Sequence, residues 1–174
     1  MGTSRPYVIT DICNKIIEQQ PTTVLDIGFG FGKYGFLARE YTDIWKGRYT
    51  NRKTIIHGIE IFKDHIMPHI DQIYDHVFIG DAVDILPDLQ KYDMIICCDM
   101  LEHLPKDRGI ILLNLIKSKC KIGFVSTPLN PGNRGSMNGN KYEAHISQFS
   151  KQELEHYGTV CEYCNHTLLL QVGK

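Results

Sequence analysis

A chain of 174 residues with 19 basic and 20 acidic side chains, formal net charge −1, has the size of one domain with a substantial core. This near-neutrality excludes the broad basic footprint of a protein that tracks nucleic-acid phosphates, although a local basic patch stays open. No apolar run approaches the roughly 20 residues needed to cross a bilayer, and residues 1–8 lack the apolar stretch of a secretory signal, so a cytoplasmic protein without a membrane partner is expected.

The chain opens Met1-Gly2, as myristoylated proteins do, but Pro6 stands where that pattern requires Ser or Thr. Ile9, Ile12, Cys13, Ile16 and Ile17 then recur at helical spacing and predict an amphipathic helix that ends near Pro21. Residues 23–27 form a short β-rich run stopped by Gly28, and residues 33–40 read as a helix, so the order is strand, glycine loop, helix. The insertion 41–53 mixes aromatics with Lys46, Arg48, Arg52 and Lys53. It reads as a packed surface loop with a solvated edge, and is also the place to look for substrate specificity.

The alternation continues with a strand over 54–61, a helical segment over 63–73 interrupted by Pro68, and a strand over 75–79. Residues 92–98 are almost continuously apolar, as a central strand covered on both faces requires, and are followed by a helix over 108–117 and a strand over 122–126. Asparagines and glycines crowd 130–142, predicting a mobile loop expected to close over the site. Ser150 and Glu153 make a capping box that starts the last helix. The runs 158–164 and 166–172 are separated only around Asn165, too little for a crossover, so they must pair antiparallel.

The expected fold is therefore α/β: a Rossmann-like, mostly parallel seven-stranded sheet with helices on both faces and a C-terminal antiparallel hairpin. It forms a single domain over 1–174, with an N-terminal helix over 1–21, a cofactor-binding half over 22–127, and the loop, last helix and hairpin over 128–174. Of the six cysteines, Cys97, Cys98 and Cys120 fall in apolar strand-like stretches and are expected to be reduced. Cys161 and Cys164 form a C-x-x-C without the second pair a zinc site needs, so they read as ordinary strand cysteines and no metal ligand set is assigned.

In Val24-Leu-Asp-Ile-Gly-Phe-Gly-Phe-Gly-Lys33, Gly28, Gly30 and Gly32 let the backbone turn from strand into helix and approach a ligand closely. Asp26, just before them, would repel a pyrophosphate but anchor a cationic ligand. Glu60 closes the second strand, where an acid can accept from both hydroxyls of a ribose, and Asp81 after the third strand could accept from an adenine amino group. Three carboxylates at successive strand ends lie along one edge of the sheet, where ligands bind in open α/β folds.

Together with Tyr92-Asp-Met-Ile-Ile-Cys-Cys-Asp-Met-Leu-Glu-His-Leu104, these segments resemble the class I S-adenosylmethionine-dependent methyltransferases. Phe31-Gly-Lys-Tyr-Gly-Phe-Leu-Ala-Arg-Glu40 and Tyr142-Glu-Ala-His-Ile-Ser147 look like those of a bacterial group of uncertain substrate. The resemblance implies S-adenosylmethionine as cofactor: Asp26, Gly28 and Gly30 around the methionine moiety, Glu60 at the ribose, Asp81 with Ala82 at the adenine, and Cys98 with Asp99 beside the sulfonium and amino acid, with Gly32 and Ile61 as further cofactor-binding candidates. The Asn/Asp-Pro-Pro-aromatic element of base-amine methyltransferases is missing after the fourth strand, so DNA is not an expected substrate.

Methyl transfer from a sulfonium needs positioning, exclusion of water and, for a protonated nucleophile, a base. His103 and His145 are the candidates, each with an alternative role as a structural hydrogen-bonding histidine. The expected reaction is methylation of oxygen or nitrogen on a small molecule or glycan precursor. A cofactor-binding module without turnover and a nicotinamide-dependent dehydrogenase are the rival readings.

Overall fold

The computed structural model describes residues 3–132, 134–136 and 139–173. Seven strands form one sheet: β1 (Thr23–Ile27), β2 (Ile55–Glu60), β3 (His76–Ile79), β4 (Tyr92–Cys98), β5 (Cys120–Pro128), β6 (Thr159–Tyr163) and β7 (Thr167–Gly173). Their order is β3-β2-β1-β4-β5-β7-β6. The first five run parallel, and β7 pairs antiparallel with both β5 and β6. The chain reverses direction between β3 and β4, stepping from one side of β1 to the other, and so opens a crevice at the C-terminal ends of β1 and β4.

Alternation along the strands sends side chains to two cores. Val24, Ile56, Met94, Ile96 and Phe124 pack with Ile12 and Ile16 of α1 (Ile9–Gln19) and Ala38 of α2 (Lys33–Thr42). On the other face Leu25, Ile27, Ile95, Cys97 and Val125 meet Leu112, Leu113 and Ile116 of α4 (Lys106–Lys119), together with Val83 of α3 (Ala82–Ile85) and Leu154 of α5 (Lys151–Glu155). Both faces of β4 are thus covered, which is why its sequence is apolar throughout.

The expected helix over 63–73 is replaced by two short 3-10 turns, Lys63–His65 and Pro68–Gln72. Pro68 has no N–H and drives Met67 into extended backbone at ψ 162°, which ends the first turn. The sequence reading missed α3, whose four residues are too few to show a period; its local signal is the N-cap Asp81, which accepts from Val83 N–H at 2.9 Å. The capping box at Ser150 and Glu153 is present as expected. The hairpin turns through Cys164 and Asn165, both at positive φ of 53° and 56°, as a two-residue primed turn requires. Cys164 is therefore a turn residue, not the strand residue expected.

The insertion 41–53 is ordered around Asp43. This fully buried carboxylate accepts from Arg39 at 2.8 Å and from the backbone N–H groups of Lys53 and Thr54 at 2.9 and 3.2 Å. Thr54 Oγ1 donates to Pro21 O, and Lys46 Nζ donates to Gln20 Oε1. These contacts make the insertion the packed surface loop expected, at the N-terminal ends of β1 and β2; it lies at the edge of the sheet opposite the cleft, so it is not the place to look for substrate specificity. Among the described residues no helix is long and apolar enough to cross a membrane.

Candidate active site

A cleft of about 1300 Å³, counted out to its open mouth, lies over the C-terminal ends of β1, β2 and β4. Register explains what meets there. Asp26 pairs with Gly58 and Ile96, and Glu60 pairs with Ile79, so the residues just past each strand share one rim. Asp26, Gly28, Gly30, Glu60, Ile61, Asp81, Ala82, Cys98 and Asp99 all line the cleft, as do His103 and His145. Gly32 does not. It is the N-cap of α2 at φ 85°, and a Cβ there would sit 3.1 to 3.2 Å from Ile73 and Ile70, so this glycine serves the turn and its packing.

The glycine turn alternates its phenylalanines. Phe29 packs inward on Tyr74 at 4.7 Å between ring centroids, whereas Phe31 is half exposed at the cleft and tilts against His69 at 4.3 Å. Gly30, at φ 53°, donates its N–H to Glu60 Oε2 at 3.1 Å, and Phe62 N–H donates to Oε1 at 2.9 Å. Each oxygen of this buried carboxylate has one protein donor in that geometry, leaving acceptor capacity on both. His65 stands 3.5 Å from Glu60.

Asp26 is 2% exposed and its Oδ2 accepts from Gly35 N–H at 2.8 Å and Tyr74 hydroxyl at 2.7 Å. Burial pushes its carboxyl up to about 6, helped by the charge of Glu60 and opposed by those two hydrogen bonds. Asp81 reaches the cleft with both oxygens engaged: Oδ1 caps α3 and Oδ2 pairs with Arg108 at 2.9 Å. A ligand amine there would have to compete with Arg108. Burial raises the Cys98 thiol to about 12, so it stays protonated and unreactive at neutral pH.

Asp99 sits in left-handed backbone at φ 50°. Its Oδ1 accepts from Ser126 Oγ at 2.8 Å and its Oδ2 from Arg5 N–H at 2.8 Å. Lys33 Nζ donates to Ser4 O and to Ser4 Oγ, the latter at 3.0 Å. Thr3, Ser4 and Arg5 therefore form a strap along the cleft, a wall that sequence reasoning missed because nothing local marks it. Tyr34 also lines the cleft, and among the described residues its buried hydroxyl has no partner in good hydrogen-bond geometry, with Ser4 and Cys98 as its polar neighbours.

Of the loop 130–142, residues 133, 137 and 138 lie outside the described residues. Arg134, Asn140 and Tyr142 line the cleft, with Glu143 and His145 just beyond. The backbone N–H groups of Ile146 and Ser147 donate to Glu102 O at 2.8 and 3.2 Å, and His145 N–H donates to Arg134 O at 2.9 Å. These bonds fasten the segment after the loop to the turn after β4 and bring His103 and His145 to 5.0 Å between ring centroids. The Nδ1 of His103 lies 3.0 Å from Ala144 O, and that of His145 lies 2.5 Å from Pro131 O. A carbonyl only accepts, so Nδ1 donates in both rings and Nε2 is the atom left to face the cleft. Burial lowers the His103 pKa, keeping that ring neutral.

Glu102 joins this pair. It is 1% exposed, and burial followed by the charge of Asp99 raises its carboxyl to about 8.

No protein-family model and no curated protein matches the chain. Among solved structures it is similar, at TM-score 0.68 and 14% identity, to the PH0226 protein of Pyrococcus horikoshii OT3, over 95% of this chain and 87% of that one. An O-methyltransferase family protein from Burkholderia thailandensis is similar at TM-score 0.66 and 9% identity, over 96% of this chain, which spans only 55% of that protein. A third, the 1,6-didemethyltoxoflavin-N1-methyltransferase of Burkholderia thailandensis with bound S-adenosylhomocysteine, is similar at TM-score 0.64 and 15% identity, over 94% of this chain and 76% of that one.

The fold is that of the class I S-adenosylmethionine-dependent methyltransferases. Its strand order, including the antiparallel hairpin that ordinary dinucleotide-binding domains lack, is complete in this chain. At these identities the likeness establishes the methyltransferase fold and leaves acceptor and chemistry to the residues of the cleft.

Proposed function

We propose that this chain transfers a methyl group from S-adenosylmethionine to oxygen or nitrogen of a small molecule or glycan precursor. The observation that carries the reading is Glu60, a buried carboxylate at the end of β2, with acceptor capacity on both oxygens and the glycine turn beside it. That is what two neighbouring ribose hydroxyls need. The Tyr34 hydroxyl and the Lys33 ammonium provide donors for a carboxylate in the same cleft. When bound, the cofactor supplies an electrophilic methyl group on a cationic sulfur.

In this reading Asp26 offers negative charge to the cationic end of the ligand, and Gly28 and Gly30 let it approach the backbone. Ile61 and Ala82 border the base, which competes with Arg108 for Asp81. Cys98 and Asp99 lie beside the reacting end. His103 and His145 stand on the acceptor side, where the Nε2 of the neutral His103 ring can take a proton. The strap of residues 3–5 and the residues on either side of His145 narrow the access of water.

Calorimetry with S-adenosylmethionine and S-adenosylhomocysteine tests the reading. Glu60→Ala should weaken both by about tenfold or more, because hydrogen bonds to a charged group contribute about 1.5 to 3 kcal/mol. Wild-type affinity in that variant would remove Glu60 from the site. Binding of NAD in place of both ligands would overturn the cofactor assignment. Labelled methyl transfer into extract fractions then separates an enzyme from a binding module.

Asp26 makes the affinity depend on pH. Its carboxyl titrates near 6 in the ligand-free protein, and a cationic ligand favours the ionised form. Affinity should therefore rise as pH increases from about 5 to about 7 and then level off. Asp26→Asn should flatten that profile; a wild-type profile falling over the same range would contradict the contact.

A further inference from the structure

We propose that Glu102, His103 and His145 form a binding site for a first-row divalent metal ion in the acceptor-side wall of the cleft. One ring nitrogen from each histidine and one carboxylate oxygen of Glu102 lie within 4.8 Å of one another. An ion with bonds of about 2.1 Å places neighbouring ligand atoms roughly 3 to 3.5 Å apart, so side-chain adjustments of about an ångström close the set.

Three observations favour a cation here over a simple hydrogen-bonded cluster. Both histidines have Nδ1 against a backbone carbonyl, Ala144 O at 3.0 Å and Pro131 O at 2.5 Å. This second contact fixes the neutral tautomer and ring orientation that a metal-binding imidazole uses. Glu102 is almost wholly buried, yet its only side-chain donor among the described residues is Thr127 Oγ1 at 3.1 Å, and Arg5 acts on it only as a weaker charge. Finally, among the described residues, the Glu102 carboxyl and a ring nitrogen of each histidine converge with no cation between them, and a metal ion that displaces the proton of Glu102 satisfies all three at once.

Two imidazoles and a carboxylate suit zinc, iron or manganese better than magnesium or calcium, which prefer all-oxygen shells. Three protein ligands leave coordination positions open, as in a catalytic site and unlike a closed structural one. All three residues line the cleft, so on the methyltransferase reading, on which this consequence rests, the open positions take an oxygen of the acceptor, and with the ion bound the two Nε2 atoms are ligands in place of the proton-accepting role they have in the metal-free cleft.

Zinc is the probe, because it binds such sites more tightly than manganese, iron or cobalt. The exposed Cys161 and Cys164 would compete for it, so the titration uses the full chain carrying Cys161→Ser and Cys164→Ser, without cofactor. Calorimetry should show saturable binding of one ion per chain, weakened at least tenfold by His103→Asn or Glu102→Gln in that background. Asparagine keeps an N–H for Ala144 O while removing Nε2, and thermal melts check that each variant is folded. No zinc binding in the parent, or unchanged binding in both folded variants, overturns the site. A protein that binds S-adenosylhomocysteine but not zinc loses this inference and keeps its proposed function; one that binds zinc but neither cofactor form keeps the site and loses the function.

Discussion

Gly30→Val is expected to eliminate measurable S-adenosylmethionine binding while leaving the chain folded. Gly30 lines the cleft, and its N–H reaches Glu60 Oε2 at 3.1 Å. Its φ of 53° lies where a β-branched residue is strained. Valine would both fill the space in which the ligand meets the backbone and pull the turn away from Glu60, so the glycine and the ribose acceptor fail together. The strain, on the order of 1 to 3 kcal/mol, is smaller than the 5 to 15 kcal/mol of a typical domain. Calorimetry shows the loss and a thermal melt shows the surviving fold. A folded variant with wild-type affinity would reduce the glycine segment to a turn.

The largest effect on stability is expected at Arg39, far from the cleft. Its guanidinium donates to Asp43 at 2.8 Å, Asp75 at 2.7 Å, Thr54 O at 2.7 Å and Ile73 O at 3.0 Å. It thereby ties α2 to the insertion, to β2 and to the turn before β3. Arg39→Ala leaves Asp43 fully buried, with Arg48 at 3.7 Å as the remaining cation. Breaking a buried pair from one side costs about 3 to 5 kcal/mol. Urea denaturation should show a loss of that size, and a loss under about 1 kcal/mol would mean that Arg48 and the backbone N–H groups suffice.

Arg39 also shows where sequence reading stops. Read locally, the segment 41–53 is a packed surface loop that could also hold a sugar or an anion, because aromatics and cations together suit such ligands. The structure attaches that segment, through Asp43, to the starts of β1 and β2, at the opposite edge of the sheet from the cleft. The deciding contacts join Arg39 to Asp75 and Thr54, and no local pattern announces them.

The sequence by itself determined the features that depend on neighbours along the chain. These include the exact runs of β1 and β4, the glycine turn, the capping box at Ser150 and the terminal hairpin. It also determined the line of acids at Asp26, Glu60 and Asp81, since strands of a parallel sheet end on one edge whatever their side chains do. Only the tertiary structure decided what those acids touch: that Asp81 is paired with Arg108, that Asp26 is held by Tyr74 and Gly35, and that residues 3–5 wall the cleft. The same holds for Glu102, His103 and His145. His103 follows β4 and His145 follows the loop after β5, and they meet because β4 and β5 are neighbours and the backbone of Glu102 accepts from Ile146 and Ser147. Hydrophobic period and turn chemistry act over a few residues, so they fix elements. Side-chain hydrogen bonds and burial act through space, and they fix the site.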